Sequence, residues 1–187
     1  MTIHTGDRAT TQVIHPLAVL AGEGLLEEQS WPGVARVLLD QGFRWPALPE
    51  LAALYEPEEY RVVSRLKNLA TQTDRDLTGS PRLDPWDVIA GLYGRAWRLG
   101  MLDETLAMWR MDHVWFHIRD LQKDHSHGVR ILWTAMGVKE FDDDHPSSDV
   151  PARAEAVLSE ADSLLEPHAL SYPLCEAIRE AMDNAGY

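Results

Sequence analysis

The sequence predicts an all-α protein: a compact multi-helix domain of about eight helices with a C-terminal αα-hairpin. Three observations predict it. Helix punctuation recurs, as an Asp or Ser cap, a proline in the first turn and a glycine stop. Apolar residues return at spacings of three and four between these marks. Alternating strand patterns are nearly absent, and only VRILWTAMG (129–137) is short and apolar enough for a strand to compete.

The elements follow in chain order. Residues 1–12 are polar and are expected to be flexible. HPLAVLAGEGLLEEQ (15–29) starts a helix at Pro16, with Gly22 and Gly24 weakening its middle. SWPGVARVLLDQG (30–42) has Ser30 as cap, Val34, Val37 and Leu38 on one face, and Gly42 as stop. LPELAALY (48–55) is a short helix. EPEEYRVVSRLKNLATQ (56–72) places acids first and Arg65 and Lys67 later, as the helix dipole favours. TDRDLTGSPRLDP (73–85) is a loop.

Asp84 then caps a helix with Pro85 in its first position and Gly100 at its end. Asp103 caps a second one, LDETLAMWRMDHVWFHIRDLQKDHSH (102–127), expected as one continuous helix of about 25 residues, roughly 37 Å long. The apolar run 129–137 stops at Gly137. Two amphipathic helices, ARAEAVLSEADSLLEP and YPLCEAIREAMDNAG, make the hairpin. The expected organisation is a helical core over 1–138, an acidic linker over 139–150, and the hairpin over 151–187 packed on the core. Two Trp-led stretches, from Trp31 and from Trp86, share hairpin grammar, but a repeat array needs a third copy, which is lacking.

With 45% apolar residues and seven tryptophans among 187, the chain can bury a substantial core. Its formal charge is −13, and residues 139–187 carry 12 acids against 3 bases, net −9. That sign repels phosphate backbones, so no direct nucleic-acid binding is expected. It favours encounter with a basic protein partner. One cysteine, Cys175, excludes an intramolecular disulfide and a cysteine-rich zinc module; it reads as a small core residue. MTIHTGDRATTQ lacks the basic-then-apolar pattern of a secretion signal, and no run is long enough to span a bilayer. A cytoplasmic protein without membrane contact is expected.

HVWFHIRDLQKDHSH (113–127) is the densest chemistry in the chain. On one continuous helix His113, His117, Asp120, Asp124 and His127 would fall within roughly 80° of arc. Imidazole and carboxylate are ligands for zinc and similar divalent ions, and His at i and i+4 both reach one ion. The candidate ligands are His113, His117, Asp120 and Asp124, completed from His15, Glu104, His145, Glu166 or His168 on another element. On the opposite side Met108, Met111, Val114, Trp115, Ile118 and Leu121 form an apolar arc that should face the core. The histidines would then face water, with Leu106, Trp109 and Phe116 flanking them.

HSHGVRILWTAMGVKEFDDD resembles, over about 20 residues, the final helix of the DinB-like helical-bundle metalloproteins, where histidines precede a helix that ends before an acidic segment. The resemblance implies a three-histidine site. Leu121 stands where His125 needs its partner, and no histidine lies between residues 16 and 112, so the chain is not assigned to that family.

Other chemistry is excluded more simply. AGEGLL is followed by no GKS or GKT and makes no phosphate loop. Asp142, Asp143 and Asp144 lack the glycine and terminal glutamate of an EF-hand loop. The tryptophans are core material first, with two or three available as exposed anchors.

Two functional expectations result. The first is a protein-interaction module, of the inhibitor, immunity, adaptor or assembly-chaperone kind, and not an enzyme. It would meet its partner through Glu155, Glu160, Asp162, Glu166, Glu176 and Glu180, and would need no cofactor. The alternative is a metal-dependent helical-bundle enzyme using His113 and His117 with nearby carboxylates and a divalent ion such as zinc. A third, lesser expectation is a pH switch through the clustered histidines.

Overall fold

A computed structural model of the chain describes residues 16–17, 19–20, 28–43, 48–54, 84–119, 126–144, 149–166 and 170–185. Among the described residues there are seven α-helices and no strand. They are α1 (Trp31–Asp40), α2 (Leu48–Ala52), α3 (Pro85–Arg98), α4 (Glu104–Ile118), α5 (His127–Asp144), α6 (Val150–Ser163) and α7 (Tyr172–Asn184), with a 3-10 turn at Glu28–Ser30 before α1. The all-α expectation holds. The flexible start expected at 1–12, the amphipathic helix expected at 56–72 and the loop from 73 to 83 lie outside the described residues.

The helices divide into two compact units. One contains the 3-10 turn, α1, α2 and α7. Pro32 lies in the first turn of α1, and Trp31, Val34, Ala35 and Leu38 are buried along one side. Against α1 pack α2 and α7; Leu48 and Leu51 of α2 and Leu174, Cys175, Ile178, Ala181 and Met182 of α7 are buried. Ser30 stands at the cap position without a side-chain hydrogen bond. The stop at Gly42 is as expected: its φ is +90°, its N–H donates to Leu39 O at 3.0 Å, and Phe43 N–H donates to Leu38 O at 3.0 Å. That closing pair of bonds needs a left-handed residue, which glycine adopts without a Cβ clash. Gly100 closes α3 the same way, with φ +71°.

The other unit is a four-helix arrangement of α3, α4, α5 and α6. Both Asp caps form: Asp84 accepts from Trp86 N–H at 2.9 Å and Asp103 from Leu106 N–H at 2.7 Å. α4 and α5 run antiparallel, tied by Lys139 Nζ donating to Asp112 Oδ2 at 2.8 Å and by Trp115 against Trp133, ring centroids 6.5 Å apart. α3 and α6 pack closely because α3 carries Gly91 and Gly94 at the contact. A Cβ on Gly94 would collide with the α6 backbone at Leu158 and Asp162. Val88, Ile89, Leu92, Met111, Val114, Ile118, Leu132, Leu158 and Leu165 fill the interior. Inside it Arg95 is ion-paired with Asp162, and Arg98 reaches the same carboxylate at 2.7 Å.

Two expectations are corrected. The helix from 102 does not continue to 127. It ends at Ile118, capped at Arg119, and α5 is a separate helix. The reason is that α5 has its own N-terminal partners. Val129 N–H donates to Ser126 Oγ at 3.3 Å, and Gly128 N–H donates to Asp87 of α3. In a continuous helix those amides would bond carbonyls four residues back. Asp87's carboxyl is held above its ordinary value, chiefly by burial, with the Gly128 N–H opposing and the Asp84 charge adding.

The second correction concerns Gly137. α5 passes through it and on to Asp144, so 139–144 is helix rather than linker. Nothing lies near where a Gly137 side chain would go, and Lys139 beyond it is anchored on Asp112. The two C-terminal helices are both present. α6 packs in its unit against α3, through the Gly94 approach and the Arg95–Asp162 pair, and α7 packs in the other unit with α1.

Candidate functional site

α4 has two apolar sides. Ala107, Met108, Met111, Val114 and Ile118 are buried, as the periodicity predicts. On the opposite side Leu106, Trp109 and Phe116 are 40%, 44% and 49% exposed. His113 and His117 lie along the same side. At about 100° per residue, Leu106, Trp109, His113, Phe116 and His117 occupy roughly 100° of arc. A helix apolar on both sides needs a second surface to cover it.

The side chains on this face touch one another. His113 stacks on Trp109, with centroids 5.6 Å apart and planes 12° from parallel. His113 Nε2 and His117 Nε2 are 3.2 Å apart, with ring planes at 80°. Arg110 lies over the Trp109 ring at 5.3 Å, and Arg119 over Phe116 at 4.9 Å. The acids of α4 are elsewhere: Asp112 is buried and paired with Lys139, and Glu104 is in the first turn. In a chain with 30 acids and 17 bases, this face carries, among the described residues, arginine and histidine and no carboxylate.

The expected metal set is only half assembled. His113 and His117 come together; Asp120 and Asp124 lie outside the described residues, as do His15, His145 and His168. His127 is at the start of α5, where its Nε2 lies 2.7 Å from Glu160 Oε1 of α6. Among the described residues no group of three or more His, Cys, Asp or Glu could hold a metal ion. Glu104, named as a donor, faces Glu155; its carboxyl is raised, first by burial and then by that charge.

The expected acidic partner surface is also redistributed. Asp162 is buried at the Arg95 pair and is not available to a partner. Glu155, Glu160 and Glu166 are exposed in the four-helix unit, whereas Glu176 and Glu180 are exposed on α7 in the other. Glu180 lines a shallow cavity of about 380 Å³ with Gln29, Ser30, Gly33, Ala177 and Asn184. Cys175 is buried in α7, as expected. No helix among the described residues is long and apolar enough to cross a membrane.

The sequence reading undervalued Leu106, Trp109 and Phe116. The signal was present: they recur at spacings of three and seven on the side opposite the core-facing residues. Comparison with protein families, with curated proteins and with solved structures found no match to this chain.

Proposed function

We propose that this protein is a docking module whose binding face is the outward side of α4. The carrying observation is the exposed row Leu106, Trp109 and Phe116 on a helix whose other side already fills the core. Contiguous apolar surface of this kind marks interaction sites, and Trp is the side chain most enriched in binding hot spots. Trp133, 57% exposed on α5, is a further anchor candidate.

The charge around the row selects the partner. Arg110 and Arg119 border it, over the rings of Trp109 and Phe116, and among the described residues of α4 the outward arc has no carboxylate, so the fitting partner is an amphipathic protein segment with an apolar face and acidic flanks. This reverses the sign of partner expected from net charge alone. The net −13 of the whole chain argues against an anionic membrane or a nucleic acid in that place. The exposed acids Glu155, Glu160, Glu166, Glu176 and Glu180 are then solubilising groups.

The test is crosslinking from a photoreactive residue placed at position 116 in the native host, with Trp109→Ala as control. A crosslinked protein whose recovery falls with Trp109→Ala, and whose crosslinked peptide is apolar and acidic, supports the reading. A partner recovered equally well from Trp109→Ala, or crosslinking to a second copy only, sinks it.

A further inference from the structure

We propose that His113 and His117 form a two-point binding site for one divalent transition-metal ion of the kind that prefers imidazole nitrogen, such as zinc, copper or nickel. The two Nε2 atoms are 3.2 Å apart. Two nitrogens bound to one tetrahedral ion at about 2.0–2.1 Å lie about 3.3 Å from each other. The pair is therefore already spaced for chelation, four residues apart on one well-formed helix, so binding orders little that is not ordered before.

The surroundings hold the first ring and leave the second at the surface. Trp109 stacks on His113 and restrains its plane. His117 is exposed and His113 half-buried, so an ion can arrive with part of its water shell. The nearby guanidinium groups lie over the rings of Trp109 and Phe116. Among the described residues two imidazole nitrogens come together on this face and no third His, Cys, Asp or Glu joins them. That donor set selects against magnesium and calcium, which require oxygen ligands. It also differs from a closed structural site, which has four protein ligands.

Without metal, the 3.2 Å contact is a hydrogen bond in which one Nε2–H donates to the other Nε2. Chelation needs a lone pair on both. The donating ring therefore gives up its Nε2 proton, to its own Nδ1 or to solvent, as the ion binds. This inference does not rest on the docking reading, because its test needs no partner.

The experiment is calorimetric titration of zinc(II) into the full-length chain without a histidine tag, beside His113→Ala, His117→Ala and His127→Ala. His117 and His127 are exposed and His113 is half-buried, and melting curves of the metal-free variants check that they fold. The expected result is one saturable site, weakened by roughly tenfold or more in either pair variant, as for a chelate reduced to one ligand. Binding in His127→Ala should be unchanged, and zinc should raise the melting temperature of the unaltered chain but not of His117→Ala. No saturable binding at millimolar zinc, or binding that survives His113→Ala and His117→Ala, overturns the proposal.

Discussion

Arg95 of α3 and Asp162 of α6 form an ion pair inside the four-helix unit, with side chains only 7% and 5% exposed. A buried pair adds little net stability against an apolar replacement, but removing one member strands the other in a medium that solvates it poorly. Asp162→Ala should therefore cost about 3–5 kcal/mol. The double change Arg95→Met with Asp162→Leu should recover most of that loss. Urea denaturation of the single and double variants measures it, and a double variant no more stable than Asp162→Ala would refute the ion-pair account.

Two glycines in this unit should respond oppositely to alanine. At Gly94 a Cβ meets the backbone of α6, and Gly94→Ala should cost about 1–3 kcal/mol by forcing the helices apart. At Gly137 a Cβ meets nothing within 4 Å and the residue is helical. Gly137→Ala should stabilise by about 0.5–1 kcal/mol, because glycine is the poorer helix former. Thermal melts of the two variants should move in opposite directions.

Asp87 sets a pH dependence whose sign is fixed. Burial raises its carboxyl above the ordinary value in the folded chain, so the folded state keeps the proton to higher pH than the unfolded state does. The group's contribution is most favourable below the ordinary carboxylate value, and stability is lost as pH rises through the raised one. Asp87→Asn keeps an oxygen for Gly128 N–H and removes that loss. The variant should gain stability relative to the unaltered chain as pH rises from about 3 to 6. A difference that is flat or of opposite slope would show that the Gly128 bond outweighs burial.

The exposed row on α4 makes a prediction separable from any partner. Trp109→Ser with Phe116→Ser removes apolar surface without entering the core, and each exposed change should alter stability by about 0.5 kcal/mol or less. Retention on a hydrophobic column should fall clearly while the far-ultraviolet circular dichroism and melting temperature hold. A large drop in melting temperature would mean that the row is already covered within the folded chain.

Much of the fold was legible. Asp84, Pro85, Asp103, Gly42 and Gly100 act through local chemistry, and each marks its boundary as expected. The core side of α4 was legible because periodicity reports burial directly. What the sequence hid depends on contacts distant in the chain. The break before His127 is set by Asp87, 41 residues from Gly128, although Ser126 was a readable cap that the histidine periodicity overrode. Asp162 looked like one surface acid among many, because only Arg95, 67 residues away, shows that it is internal. Gly137 misled for the opposite reason: a glycine stops a helix only where the chain turns, and here Lys139 is held on Asp112.

The order of the chain makes biogenesis uneven. The apolar flank of α1 is finished by α7, yet the whole of α3 through α6 is made between them. At about 5–20 residues per second, a ribosome needs on the order of ten seconds for that intervening stretch. During it the buried side of α1 waits for α7, while the inserted bundle, contiguous in the nascent chain, needs no late-arriving piece. A chaperone that engages this polypeptide during synthesis should therefore be found on its early helices and be released once the last one emerges.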